Sequence, residues 1–230
     1  DGPLSDGLPK GVELYASCDI TDLSVYAIGV ANNGGGTDGQ EFTFPPGDTA
    51  SAGDYITVSG GSSTIGFQTF FGAPPSYSHA RLNVNGNDAV ELFLGGQVID
   101  LYGAVDTDGT NQAWEYLDSW AYRRDGAGPS ATFVVSDWEI AAVNALDGQT
   151  TNNGLIRLGT YQAWTNCVGS WSQCSDNCAG KTFTVTTAAA GGGTDCDAVD
   201  GDTAACHVGE GSCSSSSCDQ APGVERHQED

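Results

Sequence analysis

The most constraining feature of the sequence is the position of its cysteines. Seven of the eight lie between residues 167 and 218, and Cys18 is the only cysteine in the first 166 residues. An even number of cysteines, mostly in one block rich in Gly, Ser and Thr, indicates disulfides and an oxidising, extracellular compartment. A zinc site is disfavoured, because these cysteines do not form two Cys-x-x-Cys knuckles and the nearest histidine, His207, is isolated.

The region before this block has the composition of short β-strands. Runs of Val, Thr, Tyr and Phe are bounded by Gly, Asn, Asp and Pro, and no window of helical length repeats apolar residues at helical spacing. Two apolar runs flank Gly95-Gly96, which predicts a tight hairpin because both turn positions can adopt positive φ. We therefore expect little helix and a succession of strands from Val12 to about Leu158.

The two regions differ in the means of stability available to them. Before Tyr161, large residues such as Leu14, Leu92 and Ile99, together with the aromatic residues, can form a core. The stretch that follows Gly180 has very few large apolar residues. It cannot bury enough surface to fold alone, and disulfides at about 2–5 kcal/mol each would supply the missing stability.

The charge of the chain limits the classes of molecule that it can bind. Seven Lys and Arg residues against 30 Asp and Glu residues give a net charge of −23. Such a surface repels phosphate backbones and anionic lipids, so nucleic acid and membrane surfaces are poor partners. No apolar run approaches the ~20 residues of a membrane helix, and the start of the chain is typical of a mature or excised fragment. We attribute the acidity to solubility in a salty medium, with binding of divalent cations as the alternative.

The cysteine block contains a recognisable motif. Residues Trp171 to Gly180 match Trp-Ser-x-Cys-Ser-x-x-Cys-x-Gly, and residues Gly192 to Cys196 match Gly-Gly-x-x-Cys. The block therefore resembles a thrombospondin type 1 repeat. The sequence alone leaves the pairing of its cysteines open. The resemblance implies the disulfides Cys167–Cys196, Cys174–Cys206 and Cys178–Cys213. Two cysteines, Cys18 and Cys218, then remain. We favour a disulfide between them that connects the N-terminal region to the tail. The alternatives are that both stay free or that they link two chains.

The block also departs from that family. Near the places of the arginines that usually stack on tryptophans stand Val185 and Thr187, so we expect no cation–π ladder and no basic groove for sulfated glycans. Asn177 stands where the O-fucosylated Ser or Thr would be. Trp171 is a candidate for C-mannosylation, without the usual Trp-x-x-Trp. The hydroxyls of TFTVTT and of Ser214 to Ser217 are candidates for O-glycosylation, a flexible linker being the plainer interpretation of the serines.

Three segments before the block carry a second resemblance. They are Lys10 to Gly36, Asn85 to Gly103 and Trp114 to Arg124. They are similar to the lamin-tail-like domain, an immunoglobulin-like β-sandwich of secreted microbial proteins. In that family another strand precedes the one matched here by VELY, and its place holds DGPLSDGLPK, a poor central strand because of its prolines and glycines. The interpretation we favour is that the strand lies upstream or that the loop varies. The alternative is that the sheet exposes an edge, which a neighbouring chain fills by strand addition.

Catalytic chemistry is not indicated. The sequence has no nucleophile elbow, phosphate loop or His-Glu-x-x-His, and its three histidines are scattered. The carboxylate pairs Glu115 with Asp118 and Asp137 with Glu139 are explained equally well as solvated acids. We therefore expect no enzyme activity.

Calcium is the one cofactor candidate. In Asp106 to Glu115, the residues Asp106, Asp108 and Thr110 resemble the start of a calcium loop, but the third acid is missing. A turn of ordinary Asn/Asp/Gly composition is the interpretation we favour. The second acidic loop, Asp195 to Asp202, has the same ambiguity.

These patterns together predict an all-β chain. It would consist of an immunoglobulin-like sandwich over 1–161, a small, elongated, disulfide-stapled β module over 162–218 and a polar tail over 219–230. The favoured function is that of a non-catalytic secreted or cell-surface protein for adhesion or structural assembly, including a polymer formed by strand exchange. Its partners would be itself, other extracellular proteins and glycans. The alternative is a calcium- or carbohydrate-binding accessory region of a larger secreted enzyme. Trp114, Trp120 and Tyr122 are then available to stack on sugar rings, although core packing is the interpretation we favour for most of them.

Overall fold

The computed structural model describes residues 1–60, 64–190 and 193–213. In this part the chain is all-β with one short helix, as the composition predicted. It divides into two compact units, Asp1–Ala163 and Trp164–Asp230, after residue 163 where the sequence patterns placed the boundary after 161. None of the described helices is long and apolar enough to cross a lipid bilayer.

The first unit consists of short strands in several sheets. Its elements are β1 (Gly11–Tyr15), β2 (Tyr26–Ala31), β3 (Phe42–Thr43), β4 (Tyr55–Gly60), α1 (Thr64–Phe71), β5 (Tyr77–His79), β6 (Ala89–Leu94), β7 (Gln97–Tyr102), β8 (Ala121–Arg123) and β9 (Trp138–Ile140). One sheet has the order β1-β4-β5, a second has the order β3-β2-β6-β7, and β8 pairs with β9. Every pairing is antiparallel except that of β4 with β5, which are joined through α1.

Side chains from the two larger sheets meet in one core. Ile28 and Val30 of β2 and Val58 of β4 are fully buried in it, and Leu82 joins them from the loop after β5. β2 is buried along nearly its whole length because β3 and β6 flank it. The core is thus built of large apolar side chains and needs no disulfide.

The hairpin predicted at Gly95-Gly96 is confirmed. It joins β6 to β7 with Leu94 opposite Gln97. Gly95 and Gly96 have φ of 56° and 84°, values that favour glycine because a Cβ would be strained there. The hairpin fixes the register of β7 at one end of its sheet.

The helix α1 was not expected from the sequence. It buries Phe67 and Phe70, three residues apart, and the rings of Phe67 and Phe71 lie 4.5 Å apart. With eight residues it is shorter than the windows in which helical periodicity becomes visible. Its short length still agrees with the low helix content that we predicted.

The second unit has a small sheet of the order β10-β11-β12. Its strands are β10 (Val168–Trp171), β11 (Lys181–Thr187) and β12 (Thr203–Ala204). Among the described residues of this unit, only Phe183 and two half-cystines, Cys174 and Cys213, count as buried apolar residues. Three disulfides connect its segments: Cys167–Cys196, Cys174–Cys206 and Cys178–Cys213.

Candidate functional site

The open edge of β1 is the feature from which the candidate site is built. β1 is the terminal strand of its sheet and pairs only with β4 among the described strands. The amide of Gly60 donates to the carbonyl of Lys10, and the amide of Ala16 donates to that of Asp54. Because hydrogen-bonded pairs alternate in an antiparallel ladder, the backbone groups of Gly11, Glu13 and Tyr15 point away from β4.

No described residue pairs with that edge. The N–H and C=O groups of Gly11, Glu13 and Tyr15 have no hydrogen-bond partner in the part of the chain that the structure describes. The preceding residues do not supply a strand, because Ser5–Gly7 form a 3-10 turn and Leu4 bridges only to Leu8. DGPLSDGLPK is thus not a strand, in agreement with its prolines and glycines.

The faces of β1, unlike its edge, are covered. Leu14 packs against the core, and the ring of Tyr15 contacts the rings of Tyr55 and Tyr161 at 5.2 and 5.1 Å. On the same side as Tyr15, the carboxylate of Glu13 accepts a hydrogen bond from the amide of Gly159. Burial raises the pKa of Glu13, and the Gly159 N–H partly offsets this. The strand is therefore held firmly in place with one edge unpaired.

A groove of about 500 Å³ lies beside this edge, and we call it the β1 groove. Its walls come from β1, β7 and β8, and it reaches the core. Apolar and aromatic side chains line its interior: Leu14, Val90, Leu92, Leu101, Trp120 and Tyr122. The groove is partly open to solvent and has a largely apolar interior.

Basic residues gather at the β1 groove. Of the seven Lys and Arg residues in the chain, four line it: Lys10, Arg123, Arg124 and Arg157. Arg123 pairs with Asp100 and lies 4.3 Å from the centroid of the Trp138 ring. Arg157 pairs with Glu139 at 2.9 Å.

The other two cations lack such partners. The three ion pairs among the described residues include neither Lys10 nor Arg124, although Arg124 Nε donates to the carbonyl of Ser136. Lys10 is 8% exposed, and burial lowers the pKa of its ammonium group. Nearby carboxylates, of which Asp88 contributes most, partly offset this effect on the pKa.

Two buried polar atoms near the groove lack a hydrogen bond. The hydroxyl of Ser119, a residue 1% exposed, and Oδ1 of Asp1 have no partner among the described residues. Both residues line the β1 groove. Buried polar atoms in folded proteins are nearly always satisfied by protein groups or by ordered water, so these two atoms are available for a further hydrogen bond.

The predicted calcium loop forms a hydrogen-bonded turn. Asp108 Oδ1 accepts hydrogen bonds from the amide of Thr110 and the side chain of Asn87, which lower the pKa of Asp108. Glu115 accepts from the amide of Asn111. The only described group of three converging metal-ligating side chains is Cys174, Cys206 and Glu210, and these two cysteines are bonded to each other in one disulfide. Within the part of the chain that the structure describes, no third acid converges with Asp106 and Asp108. Calcium at this loop stays a prediction.

Neither of the remaining carboxylate pairs lines the β1 groove with both of its members. Glu139 lies in β9 and pairs with Arg157, whereas Asp137 lies in the 3-10 turn Val135–Asp137. Asp118 lies in a turn, and Glu115 lies in the irregular segment just before that turn. These positions fit the interpretation of solvated or structural acids.

The cysteine positions agree with the pairing implied by the resemblance. The three disulfides of the second unit join the same six cysteines in the same pairs. Cys18 is exposed and forms no disulfide with a described cysteine. The favoured partner of Cys18, Cys218, lies outside the described residues, as do Gly192 of the motif and the serines 214–217.

Two aromatic side chains make contacts that bear on the sequence interpretations. Trp114, a candidate for stacking on sugars, is 6% exposed and packs against Tyr102 and Phe133 in the core. In the second unit, the ammonium of Lys181 lies 5.8 Å from the centroid of the Trp171 ring. One cation–π contact therefore exists in this unit, although no ladder was expected. Lys181, the first residue of β11, makes this contact with Trp171. The sequence analysis looked for arginines later in that strand.

Comparison with protein-family models, curated proteins and solved structures finds no match to this chain. The site is therefore known only from its own geometry: an open strand edge, an unfilled apolar groove and unpaired cations. Sequence reasoning identified the edge as an alternative but missed the groove. One sequence signal could have pointed to the groove. Basic residues are rare in this chain, yet two of them, Arg123 and Arg124, stand side by side next to aromatic residues.

Proposed function

We propose that this protein is a non-catalytic structural subunit of an extracellular or cell-surface assembly, joined to its neighbours by strand addition at β1. The observation that carries the proposal is the unpaired edge of β1 beside an unfilled groove. An exposed strand edge is a template for pairing with another chain, and its backbone hydrogen bonds supply much of the affinity.

The second unit supports an extracellular compartment. Its three disulfides are stable in an oxidising environment, such as the outside of a cell. A net charge of −23 keeps such a surface soluble in salt. The resemblance of this unit to a thrombospondin type 1 repeat, and of the first to a lamin-tail-like domain, supports a role in adhesion or assembly.

The test is the mass of the particle in solution together with amide exchange along β1. We expect light scattering to give particles many times heavier than 23.6 kDa as concentration rises, and electron microscopy to show them as ordered. In the assembly, the amides of Gly11, Glu13 and Tyr15 would gain protection against hydrogen exchange.

The same strand contains the control. The amides of Val12 and Leu14 face β4 and should be protected in both the monomer and the assembly. A monomer at every concentration would remove the proposal. Particles in which the three edge amides stay unprotected would show assembly by another surface.

A second candidate function is an accessory region that binds carbohydrate. It is supported by the rings of Trp120 and Tyr122, which line the β1 groove and lie 4.4 Å apart at an angle of 34°. Aromatic faces of this kind stack on sugar rings. Binding on a glycan array that is lost in Trp120→Ala, with no assembly of the wild type, would favour this function over the first.

A further inference from the structure

We propose that the Cys167–Cys196 disulfide is a reversible site of thiol–disulfide exchange, at which a small thiol reacts while the rest of the second unit stays folded. We call this disulfide the outer bridge. The inner bridges are Cys174–Cys206 and Cys178–Cys213. The exchange does not depend on the strand addition proposed above. It makes one of the three bridges a site of covalent modification and leaves the other two with a structural role.

The outer and inner bridges differ in burial. Both half-cystines of the outer bridge are partly exposed. Each inner bridge has one buried half-cystine, Cys174 at 4% exposure in one and Cys213 at 3% in the other. Exchange requires a thiolate to reach one sulfur and to expel the other sulfur as a thiolate. The outer bridge therefore offers two sulfurs that a reagent and water can reach, whereas each inner bridge offers only one.

A carboxylate adds to the protection of the Cys174–Cys206 bridge. Oε2 of Glu210 lies 3.6 Å from Sγ of Cys174. The ammonium of Lys181 and the amide of His207 donate to the same oxygen and hold it there. Attack on Cys206, the partly exposed half of this bridge, would expel Cys174 as a buried thiolate next to that carboxylate, and like charges oppose each other strongly away from water. Lys181 offsets part of this charge, so the burial of Cys174 remains the main obstacle.

Burial protects the Cys178–Cys213 bridge. Attack on Cys178 would expel Cys213, whose amide donates to the carbonyl of Glu210 and whose carbonyl accepts from the amide of Gly209. A thiolate in this buried place would lose most of its hydration, which is unfavourable for a charge. The inner bridges therefore open only under reducing conditions strong enough to unfold the unit.

Hydrogen bonds that do not involve sulfur hold the two ends of the outer bridge together. Thr165 and Ala190 exchange both of their backbone hydrogen bonds, at 3.1 and 2.9 Å. The amide of Cys167 donates to the carbonyl of Thr194 at 2.8 Å. The amide of Thr194 in turn donates to Oδ1 of Asn166 at 2.9 Å. After reduction these contacts keep the two thiols close to each other, so the bridge can form again without a search through the unfolded chain.

The exchange proceeds in two steps. The thiolate of a small thiol attacks one sulfur of the outer bridge, forms a mixed disulfide with it and expels the other sulfur as a thiolate. A second small thiolate attacks the reagent sulfur of this mixed disulfide, which releases the second cysteine thiolate and the symmetric disulfide of the reagent. The two electrons that reduce the bridge thus come from two small thiols, and the symmetric disulfide reverses both steps.

The surface near the outer bridge favours some small thiols over others. The exposed residues Asp195 and Asp197 stand on either side of Cys196. A reagent thiolate therefore approaches against negative charge, which a cationic group on the reagent offsets and an anionic group increases. We expect the site to react with small thiols that are neutral or cationic.

The test measures how fast each bridge opens in the full, folded chain. Thiols present at the start are blocked with iodoacetamide, and 2-mercaptoethanol is then added at low concentration without denaturant. New thiols are labelled with isotope-heavy iodoacetamide and located by peptide mass spectrometry. We expect Cys167 and Cys196 to be labelled at least about tenfold faster than the other four half-cystines. While only the outer bridge is open, hydrogen exchange should show β10 and β11 still protected, and the symmetric disulfide of the reagent should restore the bridge.

Two charge substitutions serve as matched controls. Glu210→Gln removes the carboxylate beside Cys174 and should speed the opening of that inner bridge by about threefold, with the outer bridge unchanged. The double substitution Asp195→Asn and Asp197→Asn should reduce the preference of the outer bridge for 2-aminoethanethiol over 2-mercaptoethanesulfonate. The ratio of the two rates is compared between variant and wild type, so the intrinsic reactivity of each reagent cancels.

Three results would overturn the proposal. The first is labelling of all six half-cystines at one rate, or of an inner bridge before the outer one. The second is loss of protection in β10 and β11 as soon as the outer bridge opens, either by reduction or in a variant with Cys167→Ser and Cys196→Ser, because that bridge would then be structural. The third is formation of other pairings on reoxidation. None of these results bears on assembly through β1, which is measured separately.

Discussion

The two units of this chain reach stability by different means. The first contains all eight tyrosines, a core of fully buried aliphatic residues and no disulfide among its described residues. The second contains three disulfides around one buried phenylalanine. Burial of apolar surface stabilises the folded state directly, whereas cross-links act mainly by restricting the unfolded chain. The same protein therefore combines two responses to redox conditions, pH and mutation.

Reduction of the disulfides should give the largest difference between the units. Each bridge closes a loop with a separation of 29, 32 or 35 residues, for which loop entropy predicts about 3–4 kcal/mol. Without the bridges the second unit has too little core to stay folded. We expect a reducing agent to abolish amide protection in β10 and β11 while β2 and β6 keep theirs, as measured by hydrogen-exchange mass spectrometry of the full chain.

A matched substitution checks that reduction acts through the bridges. Cys18→Ser removes the thiol that the described residues leave unpaired and should leave the protection of β10 and β11 unchanged. Loss of protection in β2 on reduction would contradict the comparison, because no described disulfide lies in the first unit.

Removal of core volume should destabilise the first unit and not the second. Ile28 is fully buried between β3 and β6, so Ile28→Ala would leave a cavity and cost about 2–5 kcal/mol of unfolding free energy in the first unit. Thermal denaturation followed by near-ultraviolet circular dichroism would measure the loss through the tyrosines. Ile65→Ala at an exposed position should have a much smaller effect. An unchanged melting temperature in Ile28→Ala would show that the core is not what holds this unit.

Alkaline pH should act on the first unit alone, with a smaller effect. Burial raises the pKa of Tyr122 and Tyr77 to about 12, and raises that of Tyr116 well above its usual value. The unfolded chain loses these protons near pH 10, whereas the folded unit retains them. Folding stability should therefore fall as pH rises from 10 towards 12, because the folded state binds more protons there. Tyrosinate absorbance would rise together with unfolding of this unit.

The second unit supplies the control for the alkaline transition. It contains no tyrosine, and its disulfides do not titrate. Amide protection of β11 should therefore persist through the pH range in which the first unit unfolds. Ionisation of all eight phenols at their usual pKa, before any loss of structure, would contradict the burial that raises these pKa values.

Local sequence patterns predicted most of the fold, whereas the rest depends on long-range packing. The hairpin at Gly95-Gly96 could be predicted because two adjacent residues define it. The helix α1 could not, since its burial of Phe67 and Phe70 depends on the elements around it. The uneven use of cysteine predicted which part of the chain relies on cross-links, because the need for them follows from composition alone.

The candidate site was less predictable for the same reason. That DGPLSDGLPK is not a strand follows from its own prolines and glycines. The β1 groove, in contrast, joins β1 to residues more than one hundred positions later, such as Trp120 and Arg124. No pattern within a single segment brings these residues together. Trp114 shows the same limit, since its spacing from Tyr116 did not by itself distinguish core packing, which we favoured, from stacking on sugars.

The contact of Lys181 with Trp171 should give the smallest effect and tests whether side-chain packing adds to the disulfides in the second unit. The ammonium of Lys181 lies 5.8 Å from the ring centroid and pairs with the half-buried Glu210. Lys181→Gln removes the cation–π contact, worth about 0.5–1 kcal/mol at such a site. We expect slightly faster amide exchange in β10 and β11 with all three disulfides intact, and no change in β2. Because the pairing with Glu210 is screened by salt while the ring contact is partly buried, the difference should diminish but persist at high ionic strength. An effect as large as that of reduction would show that a single contact, and not the cross-links, holds this unit together.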